Sequence, residues 1–556
     1  MVFTSFVFLF AFLPLMLLGF YLLRAYKQDF FAKVFLVLGS LFFYGFWNPS
    51  YLILLLGSIG VNFLIGKKIL DSFSRLSLAS LKLERGGGGQ NSLSLESSSF
   101  NPPYAFSSTP KQISKNPKFY LILGILFNLA LLGFFKYTDF FLDNFNLFAQ
   151  VLHLDWNIPL PHILLPLAIS FFTFQQIAFL VDCYRKVDTS DLQEESKELD
   201  FLDYCLFVCF FPQLIAGPIV HHKEMMPQFH TLFCKAVHCK LWENLAKGLF
   251  IFSIGFFKKV FIADSFAKWA NAGFKVVENG GALNIFESWA TSLSYTFQLY
   301  FDFSGYCDMA IGLGLFFGIM LPINFNSPYK SLNISEFWRK WHITLGRFLK
   351  DYLYIPLGGN QNKSYQDSKF YDFINKILTL RNLFIVAFLS GIWHGAGWGF
   401  VIWGVLHGGA MCVHRIYGFT LERFQLQKKS FLQSRIYKVF CWILTFNFLN
   451  ITWIFFRSEN VQGAIQLLKG MFGITWVELP QKIRLPKLLE SISGRNDTLI
   501  YIILAFAVCL YLSNSVKRLE QFSPTLFNAI LTGVFFYLAL FMFASTPYTE
   551  FIYFNF

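Results

Sequence analysis

The sequence predicts an all-α, polytopic membrane protein, and three observations support this. Of 556 residues, 55% are hydrophobic and 14% are charged, which is too apolar for an ordinary soluble protein. Apolar runs of helical length recur along the whole chain. Lysines and arginines cluster in short segments between these runs, as in cytoplasmic loops. Membrane topology and contact with membrane lipid therefore explain the formal charge of +13, and no motif indicates nucleic-acid binding.

The apolar runs define the candidate membrane segments, and their lengths differ. Several fall short of the roughly 20 residues that a full span needs, which predicts hairpins or re-entrant segments. The first run has its basic residues after it and is too long for a signal-peptide core, so we expect a retained helix. The segments are 2–23, 34–47, 50–66, 118–135, 162–181, 201–220, 245–262, 288–321, 382–395, 398–413, 436–456, 499–513 and 525–544.

Composition divides the chain into three parts. Residues 1–70 are predicted to form N-terminal membrane helices, and residues 118–556 the main membrane domain. Between them, residues 71–117 are rich in Ser, Gly and Pro, which predicts a flexible cytoplasmic linker. The nine cysteines are scattered through apolar segments, so neither a disulfide framework nor a metal site is predicted.

The segment around His394 is the first candidate for function. The flanking intervals, 326–381 and 415–438, are both rich in Lys and Arg, which predicts that both are cytoplasmic. The apolar pieces between them should then form a hairpin whose tip is Trp393-His394-Gly395-Ala396-Gly397. An ionisable residue inside the membrane is costly to bury and is usually functional. The alternative is a neutral imidazole that hydrogen-bonds to a neighbouring helix and stabilises the bundle.

The segment 333–352 is the second candidate, and its pattern predicts one amphipathic helix at the cytoplasmic interface. His342 lies at the edge of the apolar face, so it could point into the protein. An anchoring helix is one interpretation. The other adds that cations on the polar face attract a polyanionic donor such as a nucleotide-bearing thioester. The apolar face holds Trp338, Trp341, Leu345, Phe348, Leu349 and Tyr352, and the opposite face holds Arg339, Lys340, Arg347 and Lys350.

Two further segments carry polar or helix-breaking residues in apolar surroundings. The run 298–308 contains Asp302, Ser304, Tyr306 and Asp308, whose buried polar atoms must be paired. They could orient a catalytic imidazole or bind a substrate hydroxyl, but helix–helix hydrogen bonds are equally consistent with the pattern. The prolines and glycine of the run 210–219 break any helix, which favours a re-entrant segment that lines a cavity.

Taken together, these residues resemble the membrane-bound O-acyltransferases, in particular the branch that O-acetylates alginate and peptidoglycan. The likeness covers nearly the whole chain outside the linker. The matching runs are Gln175-Gln176-Ile177-Ala178-Phe179, Phe211-Pro212-Gln213-Leu214-Ile215-Ala216-Gly217-Pro218, Tyr300-Phe301-Asp302-Phe303-Ser304-Gly305-Tyr306, Asn324-Phe325-Asn326-Ser327-Pro328-Tyr329, Phe337-Trp338-Arg339-Lys340-Trp341-His342-Ile343-Thr344-Leu345, Tyr354-Ile355-Pro356-Leu357-Gly358-Gly359, Trp393-His394-Gly395-Ala396 and the C-terminal run 551–556. The linker and His221-His222 depart from the family pattern.

The resemblance implies a ring of about 11–13 transmembrane or re-entrant helices around a thin central funnel with a tunnel, its signature core in residues 170–415. It also implies that His394 is the catalytic histidine and that His342 occupies the second signature position. We expect further residues to bind substrate, and no metal or bound cofactor. The expected substrate-binding residues are Trp393, Gly395, Trp341, Arg339, Lys340, Asp302, Ser304 and Tyr306.

The expected function is O-acetylation from the bacterial inner membrane. His394 would act as general base on a hydroxyl that attacks acetyl-CoA from the cytoplasm, with His342 positioning the donor. No extracytoplasmic domain large enough for a glycan is evident, so a separate periplasmic O-acetyltransferase partner is expected. Peptidoglycan is favoured over an alginate-like exopolysaccharide as acceptor. The alternatives are another acceptor, as in D-alanylation of teichoic acid or acylation of a protein or lipid, and a transporter of an acyl group or small solute, although no internal repeat is visible.

Overall fold

A computed structural model describes residues 1–86, 116–185, 199–232, 240–361, 365, 369–475, 477, 485–545 and 551–552. Within these ranges the chain is helical and contains no strand, which confirms the all-α prediction. The N-terminal helices are α1 (Leu13–Ala25), α2 (Asp29–Gly45), α3 (Ser50–Gly86), α4 (Pro117–Val151), α5 (Ile169–Arg185), α6 (Phe201–Cys209), α7 (Phe211–Leu214), α8 (His222–Thr231), α9 (Leu241–Phe257), α10 (Asp264–Glu278) and α11 (Ile285–Phe316).

The C-terminal helices include the two signature segments. They are α12 (Ile334–Trp338), α13 (Ile343–Leu349), α14 (Tyr371–His394), α15 (Trp398–Arg423), α16 (Ser430–Gln433), α17 (Arg435–Arg457), α18 (Val461–Met471), α19 (Leu485–Leu488), α20 (Asn496–Tyr511), α21 (Ser515–Glu520) and α22 (Leu526–Ser545). Single π-helical turns occur at Phe8–Phe12, Lys258–Ala263 and Lys350–Tyr354, and short 3₁₀ turns at Pro328–Lys330, Leu426–Lys428 and Glu490–Ile492.

Six helical stretches in the described ranges are long and apolar enough to cross a membrane, which confirms a polytopic membrane protein. The remaining predicted segments correspond to helices that are shorter or more polar. Helix α3 continues to Gly86, past the predicted start of the linker at residue 71, and residues 87–115 lie outside the described ranges. The six stretches are Phe8–Ala25, Ser50–Ser72, Pro117–Val151, Tyr371–His394, Arg435–Arg457 and Leu526–Ser545.

Helix α11 forms the centre of the molecule and is buried along nearly its whole length. It packs most extensively on α9, where Gly255 and Gly305 let the two backbones approach closely. Beside this contact, two buried ion pairs join the π-helical turn after α9 to α11. Lys258 Nζ lies 2.6 Å from Asp308 Oδ2, and Lys259 Nζ lies 2.8 Å from Asp302 Oδ1. Each buried carboxylate is therefore compensated by a cation on the neighbouring element.

The prediction of one continuous amphipathic helix over 333–352 is wrong. The chain leaves the helix after Trp338, and His342 adopts a left-handed conformation with φ 45° and ψ 54° before α13 begins. Backbone hydrogen bonds to a distant segment cause the break. Asn326 N–H donates to Lys340 O at 2.9 Å, and Ile343 N–H donates to Asn324 O at 3.0 Å. These contacts between residues distant in sequence outweigh the local helical periodicity.

Candidate active site

The hairpin predicted around His394 is present and consists of α14 and α15, which pack extensively on each other. Both helices are longer than the predicted apolar pieces, because each continues for several turns into its basic flank. Their close approach depends on glycine: a Cβ atom at Gly391 would lie 2.6 Å from Phe400 O and 2.7 Å from Gly404 Cα. Helix α14 ends at His394, and an extended turn connects it to Trp398.

The imidazole of His394 is buried among aromatic rings at this tip. Its ring centroid lies 5.3 Å from that of Trp403, 5.1 Å from that of Phe456 and 4.8 Å from that of Trp393. The residue is 4% exposed. The three rings come from α14, α15 and α17, so three helices together fix the surroundings of the imidazole.

One cavity, which we name the basic cavity, approaches His394 along the hairpin. Its volume is about 560 Å³, and its lining includes three cations, Arg339, Arg347 and Lys350. On α14 the lining ends at Ser390, one helical turn before His394, and on α15 it includes Trp403, whose ring contacts the imidazole. No Asp or Glu of the described ranges lines this cavity. The basic cavity therefore offers a positively charged route towards the histidine.

A second cavity, which we name the polar cavity, lies beyond the hairpin tip and has a volume of about 790 Å³. The tip itself lines it through Ala396 and Gly397, and Phe456 lines it next to the His394 ring. The two cavities share no lining residue. His394 lines neither cavity, but its ring packs against Trp403, which lines the basic cavity, and against Phe456, which lines the polar cavity. The polar side chains that line this cavity are those of Asp143, Asn144, Asn271, Gln298, Arg457, Ser458, Glu459 and Asn460.

His342 lies inside the protein, as the sequence allowed, and is 1% exposed. Its Nδ1 lies 3.3 Å from Asn324 Oδ1, an oxygen that also accepts from the Thr344 hydroxyl at 2.7 Å. The ring of Phe303 packs perpendicular to the imidazole at 4.8 Å. Burial lowers the pKa of His342 to about 3, which keeps its imidazole neutral near pH 7.

The carbonyl groups at the end of α14 have partners on α4. Lys136 Nζ donates to Trp393 O at 2.5 Å and to His394 O at 3.2 Å. Tyr137, the next residue, donates its hydroxyl to Ile392 O at 2.8 Å. Lys136 is 9% exposed and sits in the middle of a membrane-spanning helix. The backbone that carries His394 is thus hydrogen-bonded to a neighbouring helix.

Comparisons with known proteins show the family of this chain. Residues 151–457 match the model of the MBOAT, membrane-bound O-acyltransferase family. A peptidoglycan O-acetyltransferase of Helicobacter pylori is 43% identical, and the alignment covers 100% of this chain and 98% of that protein. A probable alginate O-acetylase AlgI of Pseudomonas aeruginosa is 35% identical over 91% of this chain and 81% of the relative. A teichoic acid D-alanyltransferase of Bacillus subtilis is 25% identical over 54% of the chain and 70% of the relative.

The chain belongs to the membrane-bound O-acyltransferase family. It is therefore an acyltransferase and a multi-pass membrane protein, and the alternative of a transporter finds no support. The matched region contains both signature histidines. It also contains the residues of α14, α15 and the turn between them that line the two cavities. The predicted resemblance to this family is confirmed.

Within this O-acyltransferase, the predicted substrate-binding residues of the signature segments occupy different places. Arg339 lines the basic cavity, whereas Lys340 forms an ion pair with Glu336 at 2.7 Å and does not line it. Trp341 is 1% exposed and packs on Phe337, Phe325 and Trp453, in the aromatic core rather than in either cavity. A role of Lys340 and Trp341 in substrate binding stays a prediction.

The predicted residues at the hairpin tip serve its packing. Trp393 stacks on Phe174 of α5 at 4.9 Å. At Gly395 a Cβ atom would collide with the ring of Phe400, so a larger residue there would require that ring to move. Both residues adjoin His394 in the chain, so they shape its surroundings whether or not they also contact substrate.

The predicted residues of α11 are buried and hold other parts of the protein. Asp302 pairs with Lys259 and accepts a hydrogen bond from the Ile552 backbone N–H at 3.0 Å. Tyr306 stacks on Phe551 at 4.5 Å, and Ser304 is 2% exposed. None of the three lines the basic or the polar cavity. These contacts agree with the structural interpretation of this run, and their predicted role towards substrate stays untested.

Lys136 was not among the predicted site residues, and Arg347 was predicted only as one of the polar-face cations. Lys136 follows the predicted span 118–135 directly, and a lone lysine among apolar residues at membrane depth was the available signal. Arg347 is on the polar face of the segment, but its cavity depends on α14 and α15, which are distant in sequence. Its guanidinium also forms an ion pair with Glu224. No group of three or more potential metal ligands occurs in the ranges that the structure describes.

Proposed function

We propose that this membrane O-acyltransferase takes acetyl from acetyl-CoA at the cytoplasmic face of the bacterial inner membrane and passes it across for O-acetylation of a cell-envelope polysaccharide. The observation that carries this proposal is the packing of the His394 ring against Trp403, which lines the basic cavity, and against Phe456, which lines the polar cavity. A catalytic base in that position can meet a donor from one side and an acceptor from the other.

The basic cavity suits the donor. Coenzyme A carries several phosphate charges, and Arg339, Arg347 and Lys350 supply cations on the lining. The segments around these cations, 326–381 and 415–438, have the basic character of cytoplasmic loops. Ser390 and Trp403 are the lining residues nearest to His394 along α14 and at its ring, so the acetyl thioester would lie beside them.

The chemistry needs one base and no redox step. The neutral imidazole of His394 accepts the proton of an acceptor hydroxyl, and the hydroxyl oxygen forms a bond to the thioester carbonyl carbon. The carbon–sulfur bond then breaks, and the leaving thiolate takes the proton from the imidazolium. The products are an O-acetyl ester and free coenzyme A. His342, held by Asn324 in a strained backbone conformation, positions the donor.

The polar cavity suits an acceptor that arrives from the opposite side. Its amides and its few charges of both signs can hydrogen-bond hydroxyl groups. The relative that aligns over the whole chain is named for peptidoglycan, which favours peptidoglycan over an alginate-like polysaccharide as the final acceptor. We infer that a separate periplasmic O-acetyltransferase receives the acetyl group and hands it to the glycan. The D-alanyltransferase relative keeps a teichoic acid acceptor as the alternative.

The proposal is tested with purified protein in liposomes and acetyl-labelled acetyl-CoA. We expect His394→Ala to lower the rate of acetyl transfer about 10²–10⁴-fold, the usual contribution of a general base. The control is His414→Ala, a histidine on the same hairpin that lines neither the basic nor the polar cavity. Full acetyl transfer by folded His394→Ala would disprove the assigned base.

A further inference from the structure

Helix α14 ends in the membrane domain without the usual backbone cap. The last four carbonyl groups of a helix have no partner within it, and a left-handed residue after the helix commonly supplies N–H donors for them. Here Gly395 is extended, with φ −168° and ψ 157°, so the chain turns away directly after His394. Because a bilayer core offers no water to hydrogen-bond these carbonyls, other protein groups must do so.

Two adjacent side chains of α4 supply the missing donors. Lys136 Nζ contacts the carbonyl oxygens of Trp393 and His394, and the Tyr137 hydroxyl contacts that of Ile392. The same ammonium lies 3.4 Å from Ser170 Oγ of α5 and 5.8 Å from the centroid of the Trp393 ring. A cation at a helix C-terminus also interacts favourably with the helix dipole.

We propose that Lys136 is the positioning residue of this active site, with Tyr137 as its lesser partner. Lys136 fixes the carbonyl groups of the two peptide units that flank the His394 Cα, and thereby the direction in which the imidazole leaves the backbone. It acts through His394 and contacts neither cavity. This role rests on the proposed function, in which His394 is the base.

The location of Lys136 supports positioning over a general structural role. Other contacts already hold α4 and α5 together and pack Trp393 on Phe171 and Phe174. The remaining freedom of the tip is the rotation and fraying of the last turn of α14, which the lysine restrains. A displacement of about 1 Å at a reacting group can lower the rate about 100-fold.

The test compares four variants in the full-length protein: Lys136→Met, Lys136→Arg, Tyr137→Phe and the control Lys118→Met, an exposed lysine at the start of the same helix. We expect Lys136→Met to lower kcat about 100-fold with the KM for acetyl-CoA unchanged. Arginine keeps the cation, so Lys136→Arg should regain about tenfold of this loss. Tyr137→Phe should lower kcat a few-fold, since it removes one hydrogen bond of about 1 kcal/mol.

A second measurement needs no acyl donor. Hydrogen exchange of the peptide that covers 390–398 should become faster in Lys136→Met than in wild type, because the last turn of α14 frays. Unchanged kcat and unchanged exchange in Lys136→Met would overturn the proposal; if that variant does not fold, the same result for Tyr137→Phe and Lys136→Arg would overturn it. If His394→Ala keeps full activity, the proposed function fails, and the exchange data still report whether Lys136 holds the tip.

Discussion

The basic cavity and the polar cavity approach the same histidine from opposite ends of the hairpin tip, and their linings differ in charge. In the described ranges the basic cavity has Arg339, Arg347 and Lys350 and no carboxylate, whereas the polar cavity has Asp143, Glu459 and Arg457 among neutral amides. A lining with cations and no carboxylate favours a polyanion, and a lining of amides with charges of both signs suits an uncharged, hydroxyl-bearing group. In the proposed function, this difference separates donor from acceptor in space.

Filling each cavity in turn with a larger side chain should give the largest difference in kinetics between the two cavities. Gly346 lines the basic cavity and Gly397 the polar cavity, and at both positions a Cβ atom has room. Gly346→Leu should raise the KM for acetyl-CoA about 10–100-fold, the equivalent of 1–3 kcal/mol of overpacking. Gly397→Leu should leave that KM unchanged and lower transfer to the acceptor by a similar factor. Steady-state kinetics with both substrates varied separates the two outcomes.

Removal of positive charge from the basic cavity should raise the KM for acetyl-CoA by a smaller factor. Removal of positive charge from the polar cavity should again leave this KM unchanged. The double substitution Arg339→Gln with Lys350→Gln should raise the KM for acetyl-CoA about tenfold, since both side chains are partly exposed and their charges are screened. Arg457→Gln in the polar cavity should not change it. If Arg457→Gln raises the donor KM as much as the double substitution does, the two cavities do not differ in their ligands.

Ionic strength should give the smallest effect. Raising the salt concentration from about 0.05 to 0.5 M shortens the range of electrostatic attraction and should raise the KM for acetyl-CoA a few-fold. The dependence should disappear in the Arg339→Gln and Lys350→Gln double variant. A salt dependence of the same size in that variant would place the donor outside the basic cavity.

His407 is a second buried histidine of the same hairpin, and its hydrogen bonds indicate a structural role. His407 is fully buried on α15, but both ring nitrogens are hydrogen-bonded within the protein: Trp338 Nε1 donates to Nδ1 at 3.2 Å, and Nε2 lies 3.0 Å from Thr452 Oγ1. We expect His407→Ala to lower the thermal stability, because the half-buried Trp338 and the buried Thr452 lose their hydrogen bonds, the buried one at a cost of about 1–3 kcal/mol. The kcat of the folded fraction should change much less than in His394→Ala.

Much of this organisation was predictable from the sequence. The charge flanks alone predicted the hairpin and placed His394 at its tip, because the positive-inside pattern depends only on composition. The break at His342 was not predictable, since it depends on backbone hydrogen bonds to Asn324 and Asn326. The same limit applies to Asp302 and Asp308, whose partners are Lys259 and Lys258 on another element. Local periodicity does not report such pairings.

The central claim is that His394 joins a donor site on the cytoplasmic face to an acceptor site on the opposite face. The most direct test uses sealed vesicles of defined orientation, with labelled acetyl-CoA on one face and peptidoglycan fragments with the periplasmic transferase on the other. We predict labelled glycan only when the donor is on the face of segments 326–381 and 415–438, formed at least about 100-fold more slowly with His394→Ala. Equal labelling from either face, or labelling by the His394→Ala protein at the wild-type rate, would contradict this account.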